Sequence, residues 1–420
     1  MIICCARKLH IRELTLVFIT WLISNKSYIF YMKKLFFVSF CFACFLFFSC
    51  QEDRKFVTNY IVPDYRDISL CETEDSLYLK LMGNTYNSIR SFNYFSVGNG
   101  DYIGLYDKMS VSYNIYDLNS QLLVNRIKLD SSIRHKDLSK HTTVFCENFD
   151  SLFLINELTM YLLDRSHTVK DTIDFQTDPV MVFGSFGTGT PPLILKDKIY
   201  LSATPFLSRR KKKDIKKWRV LYEIDMKTKE TNLLFKLPQR YQDSLYGYYF
   251  FGSSYCLNNK GRVVFSFPAD TNIYESDLDT SYLAYSGRSI FHKEDINAVS
   301  QDEFVGEEGA EKAFLLRDSY REIFFDPKRK MYLRIAEHHI TEREYLLGKR
   351  EKEKSIIFLN DNFKIIGESK VPEDILLSTI FFTKDGRMYA RKKSRDEYGL
   401  HFIHLEYKEE ANRNGLAAYR

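Results

Sequence analysis

Six times along this chain the same short series recurs: a polar turn, a strand, a hairpin, a strand running into an aspartate, a second turn and a further strand. The first copy opens at Gly98-Asn99-Gly100-Asp101. Its strands are expected over 102–106, 111–116 and 122–129, with Asp117-Leu118-Asn119 turning between the last two. Later copies open at Asn148-Phe149-Asp150, Lys196-Asp197, Asn258-Asn259-Lys260-Gly261, Asp326-Pro327-Lys328-Arg329 and Lys384-Asp385-Gly386. Gly and Asn tolerate positive φ and therefore suit the tight turns of antiparallel hairpins. The runs between the turns alternate or are wholly apolar and short, which is strand periodicity rather than helix periodicity.

A four-stranded unit of about 40–50 residues is the period of a propeller blade. Six units predict an all-β fold, a six-bladed β-propeller over 67–415, followed by a short tail at 416–420. Residues 77–81 are expected to close the ring against the last blade. Radial repetition leaves only short protected edges, which keeps so many strands soluble. Two β-sandwiches are the rival architecture, and the order of elements repeated along the whole chain favours the propeller. An acidic insertion at 293–315 is expected to be partly helical around 307–316.

The N-terminus carries an address. Met32-Lys33-Lys34 is followed by an apolar run over 35–48, then Ser49, Cys50 and the polar Gln51-Glu52-Asp53-Arg54-Lys55. This is the layout of a secretory signal peptide, and the run is too short for a membrane-spanning helix of about 20 residues. Phe47-Phe48-Ser49-Cys50 resembles a lipobox, with Phe47 where a leucine is usual, and this predicts lipid attachment at Cys50. Each buried methylene of an acyl chain contributes about 0.8 kcal/mol, so several chains on one residue give a stable anchor. Residues 1–31 read as an extension upstream of a natural start at Met32, and 1–49 as leader. Residues 50–66 then form a tether whose Glu52 and Asp53 resemble a surface-export signal. The expected location is the outer membrane, on the exposed face, with the periplasmic face as the alternative.

The chain has 60 basic and 55 acidic residues, of which the leader holds six and one, so 54 of each remain beyond it. A formally neutral body has no overall field to attract nucleic acid. Cys71, Cys146 and Cys256 remain after the leader and Cys50, an odd number at wide spacing that matches neither a disulfide framework nor a zinc motif. They suit small buried hydrophobes, with one disulfide left open.

Candidate chemistry is sparse. Gly184-Ser185-Phe186-Gly187-Thr188-Gly189 is glycine-rich, but Pro191-Pro192 follows instead of the helix that a phosphate loop must open. It reads as a flexible turn between blades. Glu337-His338-His339 with Glu342 lacks a metalloprotease spacing, and adjacent histidines on a strand point to opposite faces. His401 and His404 also face apart, so neither a metal nor a cofactor is expected. Asp270, Asn272, Glu275, Asp277 and Asp279 alternate oxygens without a calcium loop's glycine and terminal glutamate, and read as a solvated hairpin. The basic run 209–217 ends at Trp218 and reads as a long solvated hairpin in the third blade, with anion binding left open. Trp218, Tyr246, Tyr248 and Tyr249 are the candidate binding residues, because aromatic faces stack on sugars. No catalytic residue is identified.

The lipobox, the turns before aromatic strands and Gly261-Arg262-Val263-Val264-Phe265-Ser266-Phe267-Pro268-Ala269-Asp270 together resemble a family of Bacteroidetes propeller-like lipoproteins, domain of unknown function 4221. The resemblance spans roughly 50–415 and implies a fold and an address, without an activity. The expected role is a membrane-anchored binding module for a glycan, a peptide or an envelope protein. A glycan lyase or hydrolase at the channel and a structural envelope protein are the alternatives. Ionisable groups clustered in the channel would favour the enzyme, aromatics and amides would favour binding, and a plugged channel would favour the structural role.

Overall fold

The three strands expected in the first unit form the second, third and outermost strands of a blade, and one strand lies inside them. A computed structural model describes residues 57–409 apart from 66–67, 84, 86, 88–91, 130–132, 134–136, 140, 280–281, 301–302, 304–305 and 395. The leader, Cys50, the first part of the tether and the C-terminal tail lie outside the described residues.

Blade one runs outward from Phe92–Val97 through Gly100–Asp107 and Ser112–Asp117 to Leu123–Lys128. Blade two follows with Thr142–Asn148, Ser151–Asn156, Thr159–Leu163 and Val169–Asp174. Blade three has Val182–Ser185 inside, then Lys198–Pro205, Arg219–Asp225 and Thr231–Lys236, with the short Leu193–Leu195 also paired to its second strand. Blade four contains Ser254–Leu257, Val263–Ser266, Asn272–Ser276 and Tyr282–Ser286, and Val57–Asn59 adds to its outer edge in parallel. Blade five contains Ser319–Asp326, Met331–His338, Glu353–Asn360 and Ile365–Val371.

Blade six takes its three inner strands, Ile375–Phe382, Met388–Lys392 and Gly399–Glu409, from the C-terminal end. Its outer strand, Ile68–Lys80, comes from the N-terminal end and pairs antiparallel from Ile68 opposite Glu409 to Lys80 opposite Gly399. The closing strand is therefore longer than 77–81, and a bulge between Glu72 and Ser76 bends it. Apolar clusters fill the spaces between successive blades. One joins Leu79 of the closing strand to Ile103 and Phe402, and another joins Ile115 of blade one to Leu154 of blade two.

The recurring aspartate has a structural cause. At the end of a third strand, Asp225 accepts from the backbone N–H groups of Lys227 and Thr228, both at 2.9 Å. Asp117 accepts from Ser120 N at 2.7 Å, and Asp164 from Ser166 N at 2.8 Å. In blade five Asn360, rather than Asp361, takes this role by accepting from Asn362 N and Lys364 N at 3.0 Å. A side chain that imitates a backbone turn fixes where the third strand stops and the fourth begins. Gly261, at φ +70°, completes the comparable Asn258 turn in blade four.

The insertion between blades four and five carries the helix Gly306–Leu315, as the sequence predicts. Phe314 of this helix lies under Lys352, whose ammonium is 3.6 Å from the ring centroid and donates to Ser319 Oγ at 2.8 Å. Burial pushes the Lys352 ammonium down to about 7, against the pull of the Glu337 carboxylate. A lysine whose folded-state value lies below its unfolded value opposes folding while it is protonated. Below about pH 7 the whole penalty is present, and above it the folded state sheds the proton while the unfolded chain keeps it. Stability is therefore expected to rise between pH 7 and 9 by about 1 kcal/mol per unit relative to a Lys352→Met variant. Urea titrations of both proteins across that window check this, and parallel pH profiles would refute it.

Candidate functional site

The inner strands set the chemistry of the channel. A partly open cavity of about 220 Å³ lies among them, lined by residues from all six blades. Tyr94, Phe145, Phe186, Tyr255, Phe324 and Phe381 supply one ring from each blade in turn. Tyr94 stacks on Phe381 across the junction of blades one and six, with ring centroids 5.7 Å apart. No lysine, arginine, histidine, aspartate or glutamate lines the cavity. Its titratable groups are held neutral, because burial pushes the Cys256 thiol and the Tyr94 and Tyr255 phenols up. A thiol raised in this way is inert as a nucleophile near neutral pH.

The side chains of Asn93 and Thr188 in the cavity wall are already committed. Asn93 donates to Cys146 O at 2.6 Å and accepts from Cys146 N and from the Tyr113 hydroxyl. Thr188 Oγ1 donates to Phe92 O at 3.1 Å and accepts from Phe92 N at 3.3 Å. These last bonds join blade three to blade one, which are not neighbours in the ring.

Thr188 belongs to the glycine-rich segment, and here the sequence expectation is corrected. The segment is not a turn between blades. It leaves the inner strand of blade three and crosses the channel. Phe186 N donates to Thr143 Oγ1 of blade two at 3.3 Å. Gly189 O accepts from Ser254 Oγ at 2.6 Å and from Tyr255 N at 3.3 Å in blade four. A Cβ on Gly189 would stand 2.5 Å from Cγ of Glu322 in blade five. The glycines allow the backbone to approach four other blades closely, and the loop forms one wall of the cavity.

The aromatic candidates lie elsewhere, beneath the helix Gly306–Leu315 and the basic hairpin. Trp218 and Tyr246 are buried and belong to the large core cluster of blades three to five. The Tyr246 hydroxyl accepts from Arg240 Nε at 2.7 Å. Tyr249 packs half-buried against Phe314 at 5.5 Å. Tyr248 is 58% exposed, and the Arg209 guanidinium covers one face of its ring at 3.9 Å. The basic run thus contributes a cation–π contact as well as the short helix Lys212–Ile215.

The acidic run at 270–279 is a solvated hairpin only at its tip, where Asp277 and Asp279 are exposed; the expectation fails for Asp270 and Glu275. Asp270 is buried and accepts from Asn272 N and from the Tyr274 hydroxyl, at 2.9 and 2.7 Å. Glu275 is buried beside Asn258 Nδ2, at 3.0 Å. These carboxylates stabilise blade four internally and offer no open calcium cage.

Sequence reasoning missed one cluster. His338 ends the second strand of blade five, Asp318 stands beside it at the start of the inner strand and accepts from His339 N at 2.8 Å, and the insertion returns His292 to the same place. Burial pushes the His292 imidazole down to about 4, against the pull of Asp318, so the ring is neutral near pH 7. No spacing signal could have found it, since the three residues come from an insertion, a strand start and a strand end. His401, by contrast, sits 3.4 Å from Asp396 at the outer side of blade six.

Known proteins place the fold. The family described as Domain of unknown function (DUF4221) matches residues 68–370. A crystal structure of a member of that family from Bacteroides vulgatus is similar at TM-score 0.66 and 21% identity, covering 83% of this chain and all of the other. Virginiamycin B lyase from Staphylococcus aureus superposes more loosely, at TM-score 0.37 and 9% identity over 81% of this chain and 99% of that one. No curated protein matches in sequence.

Proposed function

Because the chain belongs to the DUF4221 family, which brings a propeller and no assigned activity, we propose that its function is binding, with one apolar side chain of a peptide or partner protein seated in the central cavity. One observation carries this reading: each of the six blades supplies an aromatic ring to a recess that contains no charged side chain. Aromatic walls reward an apolar ring or branched chain that displaces water. They offer little to an oligosaccharide, whose hydroxyls need free partners, since Asn93 and Thr188 are already bonded. At about 220 Å³ the recess is also smaller than the roughly 300–1,000 Å³ of small-molecule pockets, a size that suits one anchoring side chain. Glycan cleavage would require paired carboxylates, and none lines this cavity. The loop that crosses the channel leaves the recess in place, which separates binding from a purely structural role.

The partner is sought at the cell envelope, because the leader and Cys50 are proposed to export and lipidate the chain at the outer membrane, propeller outward. No helix among the described residues is long and apolar enough to cross a membrane. Gly187 lines the recess, and a Cβ there would have Thr190 Oγ1, at 3.1 Å, as its one neighbour within 4 Å. Gly187→Trp is expected to fill the cavity without unfolding the ring. Peptides selected from a display library on the wild-type propeller are expected to lose at least 10-fold in affinity for Gly187→Trp, with the melting temperature little changed. A library from which the wild type retains no peptide, or peptides that bind both proteins equally, would sink the proposal.

A further inference from the structure

On the rim of blade five lies a second site, of different chemistry. Asp318 immediately precedes the inner strand Ser319–Asp326, His338 ends the strand Met331–His338, and His292 is returned by the segment between blades four and five. A nitrogen from each ring and an Asp318 oxygen all lie within 4.8 Å of one another. The two imidazoles are 5.1 Å apart at 77°, so they converge instead of stacking.

The hydrogen bonds leave these nitrogens unspent. His292 is 3% exposed, and neither of its ring nitrogens makes a well-formed hydrogen bond. Asp318 Oδ1 stands 3.9 Å from Nε2, and the Glu337 carbonyl approaches the ring. His338 Nδ1 is likewise buried without a partner. Its other nitrogen is oriented from behind. Glu368 accepts from Ser289 Oγ, Ile290 N and Ser355 Oγ, and the Ser355 oxygen lies 3.0 Å from His338 Nε2. A serine whose proton is given to a carboxylate accepts from Nε2–H, which leaves Nδ1 with an unspent lone pair. A carboxylate that fixes the tautomer of a histidine from the second layer is the usual support of a metal-binding imidazole. A buried nitrogen without a partner otherwise costs free energy.

We propose that His292, Asp318 and His338 bind a divalent transition metal ion of the zinc type. Two imidazoles and one carboxylate suit zinc and its neighbours better than magnesium or calcium, which prefer all-oxygen shells. Three protein ligands leave a fourth position for water or a ligand. Zinc–nitrogen bonds of about 2.0–2.1 Å place tetrahedral donors roughly 3.3 Å apart, so binding draws the three groups inward by about 1 Å. The ion would pin the insertion that carries His292 to blade five. Asp318 and His338 are only partly buried, which gives the ion an entry path.

The test titrates the metal-free chain with zinc chloride by calorimetry, and with cobalt(II) by visible absorption. One ion per chain is expected, in the micromolar range or tighter, with cobalt bands of four- or five-coordinate intensity and no displacement by excess magnesium. His338→Gln and the isosteric Asp318→Asn are each expected to weaken binding at least 100-fold, and Ser355→Ala about 10-fold. His401→Ala is expected to leave binding unchanged. Zinc is expected to raise the melting temperature of the wild type and not that of Asp318→Asn, a reading that survives if a His292 variant fails to fold. Absence of a saturable site in the wild type, or wild-type affinity in both His338→Gln and Asp318→Asn, overturns the proposal.

Discussion

Replacing Arg334 with leucine is expected to cost about 3–5 kcal/mol, enough to leave much of the chain unfolded at 37 °C. Arg334 is fully buried on the second strand of blade five, yet its guanidinium serves blade four. Nε donates to Ser266 Oγ at 3.0 Å, Nη1 to Thr271 O and Gly287 O at 2.7 and 2.9 Å, and Nη2 to Asp270 O at 2.6 Å. The face of the group stacks 3.8 Å from the Tyr320 ring centroid. One planar fork thus satisfies carbonyls of two separate turns in blade four and holds blade five against them. Leucine would leave those acceptors buried and unbonded, each costing on the order of 1–3 kcal/mol before relaxation. Lysine is expected to recover less than half of the loss, because three rotating donors cannot reproduce a planar array of five. Urea denaturation of Arg334→Leu and Arg334→Lys gives both numbers. A loss below about 1 kcal/mol for leucine would mean that the turns are held by something else.

The second large effect is expected at the ring closure. A chain that begins at residue 67 retains the closing strand, whereas one that begins at residue 81 lacks Ile68–Lys80 and exposes the full edge of Gly399–Glu409. It also loses Leu77 and Leu79 from the cluster they share with Phe92, Ile103 and Phe402. Each large apolar side chain withdrawn from such a core costs about 2–5 kcal/mol, and an uncovered strand edge invites pairing between chains. The shorter chain is expected to aggregate or to lack a cooperative melting transition. Adding a synthetic 68–80 peptide during refolding is expected to restore part of the transition. Gel filtration and thermal unfolding of both chains decide this, and a monomeric, cooperatively melting shorter chain would refute it.

Both predictions depend on contacts between blades, the part of the fold least visible in the sequence. Within a blade, the second and third strands were legible because their ends carry chemistry: Gly98, Gly261 and Gly386 at positive φ, and side-chain acceptors such as Asp225 that fix the turns. The innermost strands carry no such signal. Phe92–Val97 and Ile375–Phe382 face an aromatic channel instead of water, so the contrast between polar and apolar faces that marks a half-buried strand fades. The glycines of 184–189 were visible, but their purpose was not, since close approach to Phe92, Ser254 and Glu322 is a property of the closed ring. The aromatic run around Tyr246 was read for its sugar-stacking faces, and the fold places most of those rings in a core. Apart from Phe186, which lies in the glycine-rich segment read as a turn, the rings that line the channel lay in strands that the sequence left unassigned. His292, Asp318 and His338 meet only because the insertion folds back, and no spacing rule anticipates that.

The claim that the channel seats an apolar anchor is tested most directly by the position of a bound peptide. A peptide selected on the wild-type propeller would carry a benzophenone at its apolar anchor, and irradiation followed by peptide mapping would locate the adduct. Attachment is expected at the recess, on residues such as Phe186, Tyr94 or Phe381, and is expected to be abolished by Gly187→Trp. Attachment at Tyr248 or on the basic hairpin 209–217, unaffected by Gly187→Trp, would contradict it and move the binding surface to the outer face of blade three.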